Sequence, residues 1–246
     1  MTSYYEKILV TQGIAEVWRY EKLNTKGGNN KDGKTSDGID PEFNYRMRQK
    51  KRRNRIRQLV CANFDKGSKF ITLTFRDGLD FDIRDVKSCN RYMKNFVLRV
   101  LRRYPEFQYL WVIEFQDKNG RGAIHYHMIC NLPYIKKKEL AELWGAGFIK
   151  IERIDKVDNV GAYIIKYMCK DTEDTRLMGE NAYGHSKGLQ EPEIFCTWGD
   201  PASWSEWHDR LQNETPSYFR EYESESAGHI EYYQYKNLNL KPSENQ

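Results

Sequence analysis

Cysteine is sparse in this 246-residue chain: Cys61, Cys89, Cys130, Cys169 and Cys196 are odd in number, widely spread and form no C-x-x-C pair. Nothing in that spacing suggests a thiolate zinc site or a redox dithiol, and the five are read as reduced thiols. Long apolar runs are missing too, since no stretch approaches the ~20 residues that a membrane span requires. The amino terminus has none of the basic, apolar and small-residue regions of a secretory signal. The expected setting is therefore cytoplasmic, with no membrane partner.

What is present is a globular composition, 39% hydrophobic and 14% aromatic, in a length that suits one generous domain or one domain with an appendage. The net charge of +5 hides an asymmetry: from Gln190 to Gln246 there are 11 acidic and 4 basic residues, a net of −7, which leaves +12 on residues 1 to 189. The front of the chain is the part suited to a polyanion. Its densest stretch carries eight basic residues in twelve positions: Arg46, Arg48, Lys50, Lys51, Arg52, Arg53, Arg55 and Arg57. A solvated helix face is the commonest origin of such a run, and phosphate contact is the sharper reading.

The motif that organises the rest is Ala123-Ile124-His125-Tyr126-His127-Met128-Ile129, two histidines flanking one residue in an apolar run. Alternation along a strand points both imidazoles the same way, either as structural groups or as the start of a divalent-metal site. The preceding segment, Phe107 to Gln116, also alternates as a strand, and Asn119-Gly120 between the two is a strong hairpin signal. A two-residue turn there pairs Lys118 with Arg121 and sets Glu114 opposite His125, within ~4.5–8 Å of both histidines between Cβ atoms. A slip of one residue would send Glu114 to the other face.

Elsewhere the patterning predicts strands over Ile8–Leu23, Phe70–Phe75 and Phe148–Ile154, and helices over Pro41–Asn63, Val86–Tyr104 and Ile135–Leu143. A further helix, Val160–Lys170, places Tyr163 and Tyr167 one turn apart, with Lys166 and Lys170 in a parallel row. Aromatics at that spacing are ordinarily core residues. Gly28 to Thr35 spells the phosphate-loop pattern, but its flanks are loop-like on both sides, and the pattern needs a strand before it and a helix after it. Beyond Gly188 the chain reads as short mixed segments and a polar tail.

Taken in order, Phe70-Ile71-Thr72-Leu73-Thr74-Phe75, then Glu114 with His125-Tyr126-His127, then Tyr163-x-x-Lys166-Tyr167-x-x-Lys170, the chain resembles the HUH endonucleases, in particular rolling-circle replication initiators of microviruses, filamentous phages and related plasmids. The resemblance covers roughly residues 60 to 190. It departs from the family in having Tyr126 where the middle residue is usually hydrophobic. It implies an α+β fold of the HUH/RRM-like nuclease type, an antiparallel sheet of about five strands with helices packed on one face and the histidine strands central. It implies three parts: an N-terminal strand and flexible loop over 1–40, an endonuclease domain over 41–190 with the basic helix 42–63, and an acidic C-terminal extension over 191–246.

The activity implied is that of a strand-transferring nickase and ligase in a bacterial host cell. Mg²⁺ or Mn²⁺ on His125, His127 and Glu114 would polarise a phosphate, and Tyr163 or Tyr167, helped by Lys166 or Lys170, would attack it. The basic helix would hold single-stranded origin DNA, and a host helicase and polymerase would complete the machinery. Two alternatives stand beside this: a basic nucleic-acid-binding regulator without catalysis, and a relaxase or transposase of the same chemistry. Relaxases usually carry a third clustered histidine, and His185 is isolated in sequence and expected at the surface.

Overall fold

The computed structural model describes residues 5–11, 14–22, 41–117, 120–154, 174–198, 206–224, 227–236 and 238. The expected tyrosine helix with Tyr163, Lys166, Tyr167 and Lys170, and the phosphate-loop pattern at Gly28–Thr35, lie outside the described residues. In chain order the elements are β1 (Tyr5–Thr11), β2 (Ile14–Tyr20), α1 (Pro41–Asn63), β3 (Lys69–Thr74), α2 (Val86–Arg103), β4 (Tyr109–Gln116), β5 (Ala123–Cys130), α3 (Lys137–Trp144) and β6 (Ile149–Arg153). A 3₁₀ turn (Thr175–Leu177), β7 (Tyr183–His185), β8 (Glu193–Trp198), α4 (Glu206–Gln212), β9 (Tyr218–Ser224) and β10 (Gly228–Lys236) follow. The fold is α+β, with two antiparallel five-stranded sheets. None of its described helices is long and apolar enough to cross a membrane.

Two compact units divide the chain, one made of residues 40–190 and the other of residues 1–39 with 191–246. In the first, the strand order is β6-β3-β5-β4-β7, so the histidine strand β5 is central, as expected. All eight of its residues are buried. The fifth strand of this sheet is β7, not the N-terminal strand that the sequence suggested. The apolar stretch expected as one strand over 8–23 is a hairpin, with Thr11 paired to Ile14, and it belongs to the second sheet. Gly13 was the available turn signal.

Helices pack on both faces of the β5 sheet, not on one. Odd positions of β4 and even positions of β5, including Trp111, Ile113, Phe115, Ile124, Tyr126 and Met128, form a core with Met93, Phe96, Val97 and Val100 of α2 and Leu140 and Trp144 of α3. The opposite face holds Phe70, Leu110, Val112 and Ile129, which pack under Ile56, Leu59 and Val60 of α1. This is the face of the histidines, because His127 pairs with Thr72 on one side and Val112 on the other.

Local chemistry explains where the α2 side begins and ends. Asp85 caps α2 by accepting the Ser88 N–H at 2.9 Å, and Tyr104 closes it before Pro105. Helix α3 ends on Gly145 in the left-handed region, φ 70°, where its N–H reaches Ala141 O at 2.8 Å. The buried Trp144 then donates its indole N–H to Thr74 O at 3.1 Å, pinning the end of α3 to the end of β3. Gly147 makes the return to the sheet possible, since a Cβ there would lie 2.2 Å from Thr74 O and 2.7 Å from Arg76 N. Those atoms are backbone and cannot turn aside. Gly147→Ala is therefore expected to destabilise by about 1–3 kcal/mol, read as a lower urea unfolding midpoint. Gly78→Ala, where φ is 78° with open space around the Cβ, is expected to cost only about 1 kcal/mol.

Candidate metal centre

The β4–β5 ladder pairs Glu114 with His125, Ile113 with Tyr126 and Val112 with His127. This is the register expected from the sequence; the ladder ends at Gln116 and Ala123, and Lys118 and Asn119, on which the expected two-residue turn rests, lie outside the described residues. Arg121 braces the end of the ladder. Its guanidinium donates to Gln116 Oε1 at 2.9 Å and to Phe75 O at 2.8 Å, tying the hairpin to the end of β3.

His127 is 7% exposed and is held on three sides. Its Nε2 bonds the Glu114 carboxylate, its Nδ1 lies 3.2 Å from Thr72 Oγ1, and its ring stacks on Phe70 at 5.5 Å with 6° between planes. A hydroxyl both donates and accepts, so Thr72 can serve either tautomer of the ring. His125, 8% exposed, is different: among the described residues its Nε2 is buried with no hydrogen-bond partner. Burial, and then the neighbouring His127, lower its pKa to about 4, so the ring is neutral at physiological pH. An imidazole nitrogen without a hydrogen-bond partner among the described residues, beside a second imidazole and a carboxylate on one face, is a donor set that fits a divalent cation.

Among the described residues, the group of His, Asp or Glu whose ligand atoms all lie within 4.8 Å of one another is elsewhere, at Glu221, His229 and Glu231. The trio on β4 and β5 therefore shares a face without being drawn into a closed cage, and Glu114 is closed onto His127.

Tyr126, between the histidines, points into the other core, is 0% exposed, and donates its hydroxyl to Asn90 Oδ1 of α2 at 2.8 Å. Burial holds its pKa well above that of a free tyrosine. It is a core residue with a satisfied polar tip and has no access to the histidine face. His185 lies exposed on β7 and does not join the cluster.

Thr72 is the site residue that sequence reasoning passed over. The signal was available, since Thr72 and Thr74 alternate with apolar residues in Phe70-Ile71-Thr72-Leu73-Thr74, which marks one face of that strand as polar. A second missed residue is Arg176, in the 3₁₀ turn. It chelates Asp117 at 2.9 and 2.7 Å, bonds Asp174 at 2.9 Å and lies 3.7 Å over the Phe115 ring. Both carboxyls are held below their usual range by that guanidinium. The chain that leaves β6 thus returns, at Asp174, to the hairpin end of the candidate site.

The basic run lies on α1 as expected. Arg48, Lys50 and Lys51 are exposed, Arg52, Arg53, Arg55 and Arg57 are half-buried, and the side chain of Arg46 is outside the described residues. Arg48 and Arg52 line a pocket of about 260 Å³ with Tyr45, Gln49, Asp174 and Glu180.

Residues 68–172 match the family model of the replication-associated protein ORF2 family, which is consistent with a rolling-circle replication initiator. The matched span runs from β3 through the histidine strand and includes Tyr163 and Tyr167. No curated protein and no solved structure matches the chain.

Tyr126→Phe is expected to lower stability by about 1 kcal/mol, the worth of one buried hydrogen bond, and to leave divalent-metal affinity unchanged. Chemical denaturation and calorimetric titration with Mn²⁺ separate the two effects.

Proposed function

We propose that the chain is a replication initiator that nicks single-stranded origin DNA by tyrosine attack on one phosphodiester, assisted by a divalent cation. The observation that carries this reading is the shared face of His125, His127 and Glu114 on two adjacent inner strands of the sheet, inside the segment that matches replication-associated proteins. Mg²⁺ or Mn²⁺ held by these three would place positive charge against the non-bridging oxygens of one phosphate and offset the charge developing there.

The protein's own groups do the rest. Neutral His125 presents its Nε2, which has no hydrogen-bond partner among the described residues. With a cation in place of the Nε2–Glu114 hydrogen bond, Thr72 Oγ1, 3.2 Å from Nδ1 of His127, would accept the Nδ1 proton and leave Nε2 as the ligand atom. Phe70 holds the ring plane. The phenolic oxygen of Tyr163 or Tyr167 attacks the phosphorus in line, the bond from phosphorus to O3′ breaks, and the phenolic proton is lost as the 3′ oxygen gains one. The products are a 5′-phosphotyrosyl link and a free 3′-OH. One phosphodiester has been exchanged for another, so the reverse reaction rejoins the strand. Because a free phenol has a pKa of ~10, Lys166 or Lys170 favours the phenolate or takes up phosphate charge.

Arg46, Arg48, Lys50, Lys51, Arg52, Arg53, Arg55 and Arg57 contact the DNA backbone, which makes affinity fall steeply with salt. The 3′-OH then primes a host polymerase, with a host helicase unwinding ahead of it.

Incubation of the full chain with circular single-stranded DNA and Mn²⁺ is expected to yield a tyrosyl-DNA adduct detectable by mass spectrometry, and chelation is expected to abolish it. Tyr163→Phe and Tyr167→Phe, made singly, identify the nucleophile. Adduct that survives the double substitution would overturn the tyrosine assignment. Thr72→Val is expected to weaken Mn²⁺ binding by about 10–100-fold; unchanged affinity in calorimetric titration would count against its positioning role.

A further inference from the structure

Strand alternation sorts the second sheet, ordered β8-β1-β2-β10-β9, into two faces of different chemistry. One face is covered. Ile8, Val10, Ala15, Val17 and Tyr235 pack with Leu211 of α4, and Phe195, Trp207 and Tyr233 lie against them. The acidic side chains of the described strands gather on this same face: Glu6, Glu193, Glu221, Glu223 and Glu231 share its parity. Glu6 is buried there between His208, at 2.8 Å, and Arg19, at 2.9 Å.

The other face carries no described helix core; Leu9 and Ile230 are buried on it, and its commonest side chains are aromatic. Ladder pairing runs Tyr5 to Tyr20 to Ile230 to Tyr222 in one row, and Lys7 to Trp18 to Tyr232 to Arg220 in the next. Ring centroids lie 5.2 Å apart for Tyr5 and Tyr20, 5.2 Å for Trp18 and Tyr232, and 6.0 Å for Tyr218 and Tyr232. Lys7 Nζ sits 5.4 Å over the Trp18 ring, and the Arg220 guanidinium 5.8 Å over Tyr222. Tyr218 and Tyr222, on the edge strand, are 49% and 38% exposed, and the inner rings are half-buried against one another.

Charge follows the same division. Lys7, Arg220 and Lys236 point to the aromatic face, and the one carboxylate of the described strands on that side, Glu16, is buried and accepts the Tyr232 hydroxyl. The C-terminal stretch is acidic overall, but its strand carboxylates are on the far side of the sheet. A polyanion that approaches the rings meets cations.

We propose that this face is a stacking platform for the unpaired bases of single-stranded DNA, a binding site on a different sheet from the histidines. Every base has a π face, so a row of tyrosines and a tryptophan with flanking cations takes a strand with little regard to its sequence, whereas a duplex keeps those faces hidden. The choice of DNA over RNA rests on the nicking reading; the stacking geometry does not.

The test uses the full chain with chelator present, so that nicking is silent, and a fluorescein-labelled oligothymidylate of about 15 nucleotides. By fluorescence anisotropy, the pair Tyr218→Ala and Tyr222→Ala is expected to raise Kd at least about tenfold, with far-UV circular dichroism unchanged. Because both rings are exposed, the fold survives their loss. Photo-crosslinking through 5-iodouracil is expected on peptides bearing Trp18, Tyr218 or Tyr232. An unchanged Kd, crosslinks confined to residues 40–190, or tighter binding of a duplex would each overturn the platform. So would a dimer that the two substitutions disperse while DNA binding is untouched, which would make the face a contact between copies. A tenfold preference for oligouridylate would overturn the choice of DNA. A chain that binds through this face yet never forms a covalent adduct sinks the nicking reading alone, and one that forms the adduct while binding ignores Tyr218 and Tyr222 sinks the platform alone.

Discussion

The candidate site depends on one hydrogen-bonded register, that of β4 against β5. With Glu114 opposite His125, every second residue of both strands faces α1 and the alternate set faces α2 and α3. A shift of one residue would turn Ile113 and Phe115 out of the larger core and bring Glu114 into it. Burying a charged carboxylate among Tyr126, Trp111 and Phe96 is heavily unfavourable, as is leaving two large apolar side chains without a core. The same apolar packing that stabilises the sheet therefore holds the carboxylate beside the two imidazoles. Arg121 and Arg176 reinforce it at the hairpin end, one anchoring to the end of β3 and the other to Asp117 and Phe115.

The histidine face is divided along its length. At one end Phe70, Leu110, Val112 and Ile129 lie under α1; at the other Thr72, His127, Glu114 and His125 form a polar patch in which the two imidazoles are buried and Thr72 and Glu114 are half-buried. Few waters reach the two rings, so a group there either finds a protein partner or remains unsatisfied. His127 has Glu114, Thr72 and Phe70 around it, and the Nε2 of His125 has none among the described residues. The proposed binding role rests on that imbalance, because a purely structural histidine would be expected to have both nitrogens satisfied. Tyr126 shows the contrast on the same strand, with its hydroxyl fully met by Asn90.

The second unit applies strand alternation to a different end. Its sheet is covered by α4 on one face, where the carboxylates also lie, and is aromatic and cationic on the other. Net charge alone is a poor guide to such a unit. The stretch from Gln190 onward is acidic, and only the pairing of β9 with β10 and of β10 with β2 shows which side of the sheet the acids occupy.

Much of the residue 40–190 unit was legible in the sequence for local reasons. The helices at Pro41–Asn63 and Val86–Arg103 follow from apolar periodicity with a cap or proline at the end, and β3 to β6 follow from alternation between turn residues. The Glu114–His125 register followed from counting outward from Asn119-Gly120, because a hairpin relates residues close in sequence. Thr72 as the partner of His127 lies 55 residues away and required knowing that β3 lies beside β5. That α1 covers the histidine face was equally hidden, since an apolar stripe on a helix does not say which sheet face it will meet. The tertiary structure alone decided that β1 and β2, read as a single strand at the start of the chain, form one sheet with β8, β9 and β10 some two hundred residues on. Strand pairing depends on which edges meet in space, and an alternating pattern specifies a face but never the partner.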